Sequence, residues 1–183
     1  MWRLRDLLAD DLSVGAATAC LTAAHRLCPV ETIVTQATER VADRAAAAHV
    51  ELFVHCGCGA LLCDERALVE ALSNLLCNAI DASPVGGAVF LATYETNDGD
   101  QNWVVQDTGS GIPFGELAEI GRPFHSTKSG GSGLGLAIAR AVVAAHGGLV
   151  RIDSCPGAGT TVSVWLPRQQ GVLPSGGLAA EPA

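Results

Sequence analysis

Apolar and polar positions recur with two different periods along this chain, and each change of period marks an element. Between residues 65 and 82, Leu68, Leu72, Leu75, Leu76 and Ile80 fall at three- and four-residue intervals, the apolar stripe of a helix. Asp64 stands in front of it as an N-cap, and Ser83-Pro84-Val85-Gly86-Gly87 behind it as a stop. Ile33, Val34, Ala37, Val41 and Ala45 predict a second helix over 31–49, and residues 133–146 predict a third, ended by Gly147-Gly148. An Ala-rich stretch anchored by Leu4, Leu7, Leu8, Leu12, Leu21 and Leu27 predicts a further helical segment over 1–29, weakened by Gly15 and closed by Pro29. Three other segments lean towards strand. Residues 50–64 read as two short strands joined by a turn at Gly57–Gly59. Residues 88–95 and 102–107 read as a hairpin around Asn97-Asp98-Gly99-Asp100, and 149–154 with 159–167 as another around Pro156-Gly157. Between them, 108–131 is a Gly/Ser/Pro-rich loop with a short helix near 114–120. Helix and hairpin alternate three times. That order predicts one mixed sheet with helices on one face, an α/β two-layer sandwich over residues 30–168. Residues 169–183, rich in Gly, Pro and Ala, are expected to be a disordered tail.

Composition narrows the classes of function. Of 183 residues, 49% are hydrophobic and 16% charged, enough apolar material for a packed core. Lys and Arg number 11 and Asp and Glu 19, a net charge of −8, which argues against a broad basic surface for nucleic acid. A small anionic ligand remains compatible, because backbone amides and one Lys can hold a phosphate locally. Seven cysteines, an odd count spread over apolar stretches, do not read as a secreted disulfide framework. No apolar run reaches the ~20 residues needed to span a bilayer. The expectation is a cytoplasmic protein without a membrane segment.

Three constellations carry candidate chemistry. Asn74 and Asn78 lie one turn apart on the 65–82 helix, about 6 Å from each other, and Asp81 joins their stripe. Oxygen ligands in that arrangement suit a hard cation such as Mg2+, and a solvated helix face would look the same. Asp107-Thr108-Gly109-Ser110-Gly111-Ile112-Pro113 ends an apolar strand. Its glycines let backbone approach a flat ligand, and a carboxylate there can accept a hydrogen bond from an exocyclic amine. A plain Asp-Gly turn is the alternative. Gly130-Gly131-Ser132-Gly133-Leu134-Gly135-Leu136 opens directly into a helix, whose unpaired N–H groups form a phosphate cradle. It lacks the Lys of a P-loop and follows no strand, so neither that motif nor the dinucleotide fingerprint fits. Lys128 lies just upstream.

The order of these pieces is more specific than any one of them. Asn-x-x-x-Asn, then Asp-x-Gly-x-Gly, then Pro-Phe with a Lys, then Gly-x-Gly-Leu-Gly-Leu resembles the Bergerat-fold ATP-binding superfamily, from about Val30 to Pro167. Within it the wording is most similar to the catalytic domain of sensor histidine kinases of the nitrogen-regulator-like subgroup. NLLCNAIDAS resembles their N box, DTGSGIP their G1 box, and GRPFHSTKSGGSGLGLAIARAVVAAHGG their F box, lid and G2 box. The resemblance implies the Bergerat fold, a mostly antiparallel sheet with a short ATP lid, and it implies ATP and Mg2+ as cofactors. Asn78 would hold Mg2+, with Asn74 and Asp81 close to the phosphates or metal. Asp107 would bond the adenine amine over a floor of Gly109, Gly111 and Ile112. Phe124 would pack the lid. Lys128, Gly131, Ser132, Gly133, Leu134, Gly135 and Leu136 would surround the triphosphate, with Thr160 or Thr161 near the adenine. Hydrolytic members carry Glu four residues before the metal Asn, and this chain has Asn74 there, a carboxamide that cannot accept a proton. The implied activity is transfer of the ATP γ-phosphate to a histidine on another domain or chain, in two-component signalling with a response regulator. The alternative is a non-catalytic ATP-binding regulatory module.

No segment reads as the helical hairpin that would carry a phosphoacceptor. Residues 1–29 are too short for one and read as its remnant. Of the five histidines, His25 is a poor acceptor candidate, and His125 and His146 read as local hydrogen-bonding residues. Cys56, Cys58 and Cys63, near His49 and His55, fit either a zinc or redox site or small core residues of strands.

Overall fold

The protein is described here by a computed structural model covering residues 25–117 and 134–168. Its elements are β1 (Arg26–Pro29), α1 (Val30–Ala48), β2 (Glu51–Cys56), β3 (Ala60–Cys63), α2 (Glu65–Ala82), β4 (Ala88–Glu95), β5 (Gln101–Asp107), α3 (Phe114–Leu117), α4 (Gly135–Ala145), β6 (Leu149–Ser154) and β7 (Thr160–Leu166). Five strands form one sheet in the order β2-β4-β5-β7-β6. Only β2 and β4 run parallel, because the chain crosses between them through β3 and α2; the other pairs are antiparallel.

Alternation along each strand decides which face is covered. Val89, Leu91 and Thr93 of β4 and Trp103 and Val105 of β5 point inward and are buried, while Phe90 and Tyr94 point outward and are exposed. The apolar stripes of α1, α2 and α4 close over the inward face. Ile33, Leu68, Leu72, Leu76 and Ile80 are among the largest side chains completely removed from water. Asp64 caps α2 as its sequence predicts, accepting from the Ala67 amide at 3.2 Å.

Two local expectations are corrected. Residues 26–29, read as the end of a helix, form a strand that pairs antiparallel with β3. Pro29 is extended (φ −60°, ψ 134°) and disfavours helical backbone at Cys28, and burial of Cys28 in the core then anchors the strand. The two strands within 50–64 do not pair with each other. β2 joins the large sheet, and the Gly57 amide bonds the Thr93 carbonyl at the end of β4. The chain then turns at Gly59 (φ +132°), whose carbonyl accepts from the Val30 amide, and β3 leaves to meet β1. The expectations for residues 1–24, for 118–133 and for the 169–183 tail lie outside the described residues.

Candidate functional site

The site assembles where β5 ends. Two glycine-bearing turns, 108–112 after β5 and 155–159 between β6 and β7, clasp each other there. The Gly157 amide donates to the Ser110 carbonyl at 2.6 Å, and the Ile112 amide donates to Ser154 Oγ at 2.8 Å. Ser154 Oγ in turn bonds the Gly159 carbonyl at 3.0 Å and lies 3.0 Å from Thr160 Oγ1. Asp107 sits between the turns, 5% exposed, and its Oδ1 accepts from the Gly109 amide at 2.8 Å and the Thr160 amide at 3.2 Å. One donor lies in the turn after β5 and the other at the first residue of β7, so the carboxylate is fixed before any ligand arrives.

Glycine is required at three of these positions. A Cβ on Gly109 would meet the Ala82 carbonyl at the end of α2, and Asp107 Oδ1 at 2.7 Å. Gly111 (φ +67°) packs on the Cys155 carbonyl and Gly159 (φ +86°) on the Asp107 carbonyl, and each has left-handed backbone besides. Gly109 and Gly159 thus bring bare backbone against Asp107, while Gly111 brings the two turns together at Cys155.

The helical half of the site lies on α2. Asn74 is half-buried and faces the start of α4, where a Cβ on Gly135 would stand 3.5 Å from Asn74 Oδ1. Asn78 follows one turn later and is exposed. The N-terminus of α4, with Leu134 at its N-cap and Leu136 half-buried, is thus brought beside Asn74. Asp81 turns elsewhere. Arg44 of α1 grips its carboxylate through Nε at 2.7 Å and Nη2 at 2.9 Å, which ties the two helices and raises the guanidinium pKa.

The structure gathers Asp107, Gly109, Gly111, Ile112 and Thr160 at the end of β5, and separately sets Gly135, between Leu134 and Leu136 at the start of α4, beside Asn74 of α2, with Asn78 one turn further along that helix. It separates the two threonines: Thr160 faces Asp107, whereas Thr161 pairs with Gln106 on the outward face. Phe124, Lys128, Gly131, Ser132 and Gly133 lie outside the described residues. Sequence reasoning missed Ser154, which holds Ile112, Gly159 and Thr160 together. Its only signal was a small hydroxyl residue at a strand end before Pro-Gly.

The cysteines and histidines take other places. Cys63 is buried next to Cys28, and burial first, then the Cys28 thiol, pushes its thiol pKa up, away from thiolate chemistry. Cys58 is exposed at the turn and Cys56 lies on β2, and among the described residues no three His, Cys, Asp or Glu side chains are grouped to hold a metal ion. His146 ends α4 with both ring nitrogens engaged: Nδ1 lies 2.8 Å from the Val142 carbonyl, and Nε2 accepts from the Asp64 amide at 3.1 Å. His25 stacks on it at 5.3 Å.

Comparison with known proteins agrees with this geometry. Residues 63–170 match the family described as histidine kinase-, DNA gyrase B- and HSP90-like ATPase. The chain is 44% identical over 109 residues to histidine protein kinase DivJ of Caulobacter vibrioides, covering 57% of this chain and 18% of DivJ. The chain therefore spans less than a fifth of that relative's length. Among solved structures, mycobacterial sensor histidine kinase MprB superposes with a TM-score of 0.72 at 33% identity, over 78% of this chain and 97% of that one. Full-length ShkA in complex with AMPPNP superposes with a TM-score of 0.70 at 30% identity, over 83% of this chain and 34% of that one.

Proposed function

The chain belongs to the histidine kinase-, DNA gyrase B- and HSP90-like ATPase family and has its Bergerat fold, and on that premise we propose that it is the ATP-binding catalytic domain of a sensor histidine kinase. The observation that carries this is Asp107, a buried carboxylate pre-set by two backbone amides and flanked by Gly109 and Gly159, where no side chain fits. An adenine laid on Gly109 and Gly111 would offer its exocyclic amine to that carboxylate, while Thr160 and Ser154 keep the neighbouring edge polar. A guanine carries a carbonyl at the corresponding position, which a carboxylate repels.

The triphosphate would then run towards Asn74, Asn78 and the start of α4. Amides at that helix end favour anionic oxygens. Lys128 and the glycines at 131, 133 and 135 are proposed to enclose the same end. The carboxamide oxygens of Asn74 and Asn78 are hard donors one turn apart on a partly open face, which fits Mg2+ with Asn78 as ligand. When bound, Mg2+ would offset phosphate charge and align the terminal phosphoryl group.

What the site lacks also shapes the reaction. Asn74 cannot take a proton from water, and Glu70 is exposed a full turn further from Asn78. The residues here position ATP and present its γ-phosphate without activating water. The acceptor imidazole, on a separate domain or chain, supplies its own nucleophile. A response regulator would draw the phosphoryl group onward. Among the described residues no helix is long and apolar enough to cross a membrane.

Incubation with γ-labelled ATP, Mg2+ and a purified helical-hairpin domain bearing a histidine tests the reading. Label should appear on the hairpin domain, acid-labile and base-stable, and should be lost with Asn78→Ala. Tight ATP binding with no transfer to any such domain would instead favour a regulatory ATP-binding module.

A further inference from the structure

β2 forms an edge of the large sheet, and its other side meets no strand among the described residues. The Glu51 amide donates to the Gly87 carbonyl and the Gly57 amide to the Thr93 carbonyl, so the odd-numbered residues of β2 turn their main chain towards β4. By alternation, Leu52, Val54 and Cys56 turn theirs to the open edge. Edge strands are ordinarily guarded by Lys, Pro or a bulge. The sequence Glu-Leu-Phe-Val-His-Cys has none of these. Its side chains are open too: Phe53 is 48% exposed and Val54 45%, and Phe53 stacks on Phe90 of β4 at 5.1 Å.

We propose that this edge is an interface between two copies of the chain, whose β2 strands pair antiparallel about a two-fold axis at Phe53 and join their sheets. The strand is complementary to itself in that one register. Leu52 falls opposite Val54 of the second copy, and both carry outward-turned main chain, so each pair exchanges two hydrogen bonds. Phe53 meets Phe53 at a closely spaced, non-hydrogen-bonded position, backed by Phe90 on each side. Glu51 falls opposite His55 of the second copy, twice, and an imidazole N–H can donate to the carboxylate. A shift by one residue would set outward side chains against inward ones. A shift by two keeps the faces together but separates Glu51 from His55. The pairing uses an isologous patch, as closed dimers do. It takes up none of Asn74, Asn78 or Asp107, so it is independent of nucleotide binding.

Sedimentation velocity of the full chain over a range of concentrations tests the pairing. We expect a reversible dimer that Phe53→Lys abolishes by placing two ammonium groups at the axis. Glu51→Lys and His55→Glu should each weaken it about tenfold, and the double variant Glu51→Lys/His55→Glu should restore it by exchanging the partners. All these positions are on the surface strand, and unchanged circular dichroism will confirm that the variants fold. A chain that stays monomeric at every concentration overturns the proposal and leaves the edge to a strand of a different protein. A dimer indifferent to Phe53→Lys, or not restored by the double exchange, places the contact elsewhere and overturns it equally.

Discussion

β5 buries a polar side chain at each end, and the two are treated in opposite ways. At one end Asp107 receives two backbone amides, from Gly109 in the following turn at 2.8 Å and from Thr160 at the start of β7 at 3.2 Å. At the other end Gln101, fully buried, has no hydrogen-bond partner among the described residues for either its amide nitrogen or its carbonyl oxygen. Burial of polarity is common to both, so burial alone does not mark a site. What distinguishes Asp107 is that the chain invests two left-handed or crowded glycines in bringing donors to it. Gln101 receives no such provision, and an unsatisfied buried amide costs stability, about 1–3 kcal/mol. His146 belongs with Asp107 in this respect, since both its ring nitrogens are engaged.

Breaking the provision at Asp107 should have the largest effect. Gly159→Ala forces a Cβ into the Asp107 carbonyl at a φ of +86°, and about 3 kcal/mol or more of stability should be lost together with nucleotide binding. Thermal denaturation and calorimetric titration will read the two losses. Asp107→Asn keeps the shape and one acceptor oxygen but removes the charge. The fold should persist, and affinity for an ATP analogue should fall by about 2 kcal/mol, roughly thirtyfold. Gln101→Met sharpens the contrast from the other side. Replacing an orphaned amide with an apolar chain of similar size should raise stability by about 1 kcal/mol and leave nucleotide affinity unchanged, as urea titration will show.

The smallest effect concerns pH. Burial holds the His146 pKa below the ordinary imidazole value, with His25 adding to that push, while the Val142 carbonyl and the Asp64 carboxylate oppose it. The unfolded chain therefore takes up this proton at higher pH than the folded one. Stability from neutral His146 is complete above the unfolded value near 6.5 and is lost as pH falls through it towards the lower folded pKa. Urea midpoints measured from pH 7.5 to 5.5 should decline, and His146→Gln should flatten that decline.

Much of this was legible in the sequence, for identifiable reasons. The helix over 65–82 was bounded correctly because its apolar stripe, N-cap and stop signals all agree. The stripe also placed Asn74 and Asn78 together. The 88–107 and 149–166 hairpins followed from alternation interrupted by strong turn residues. Failures came where long-range packing decided. Nothing local in Arg26–Pro29 announces that its partner is β3, thirty-odd residues on, and nothing in residues 50–64 says that its two strands go to different sheets. Asp81 shared the stripe of the two asparagines, yet the position of Arg44 on another helix turned it to an ion pair. Ser154 was invisible because its role arises only when two distant turns meet.

The central claim is that Asp107 reads the adenine amine. Calorimetric titration of the wild type and Asp107→Asn with non-hydrolysable ATP and GTP analogues, each with Mg2+, tests it most directly. The wild type should bind the ATP analogue and discriminate strongly against the GTP analogue, and Asp107→Asn should lose affinity for the first and most of the discrimination. Equal binding of both analogues by the wild type, or an Asp107→Asn chain that binds and discriminates as the wild type does, would contradict the account.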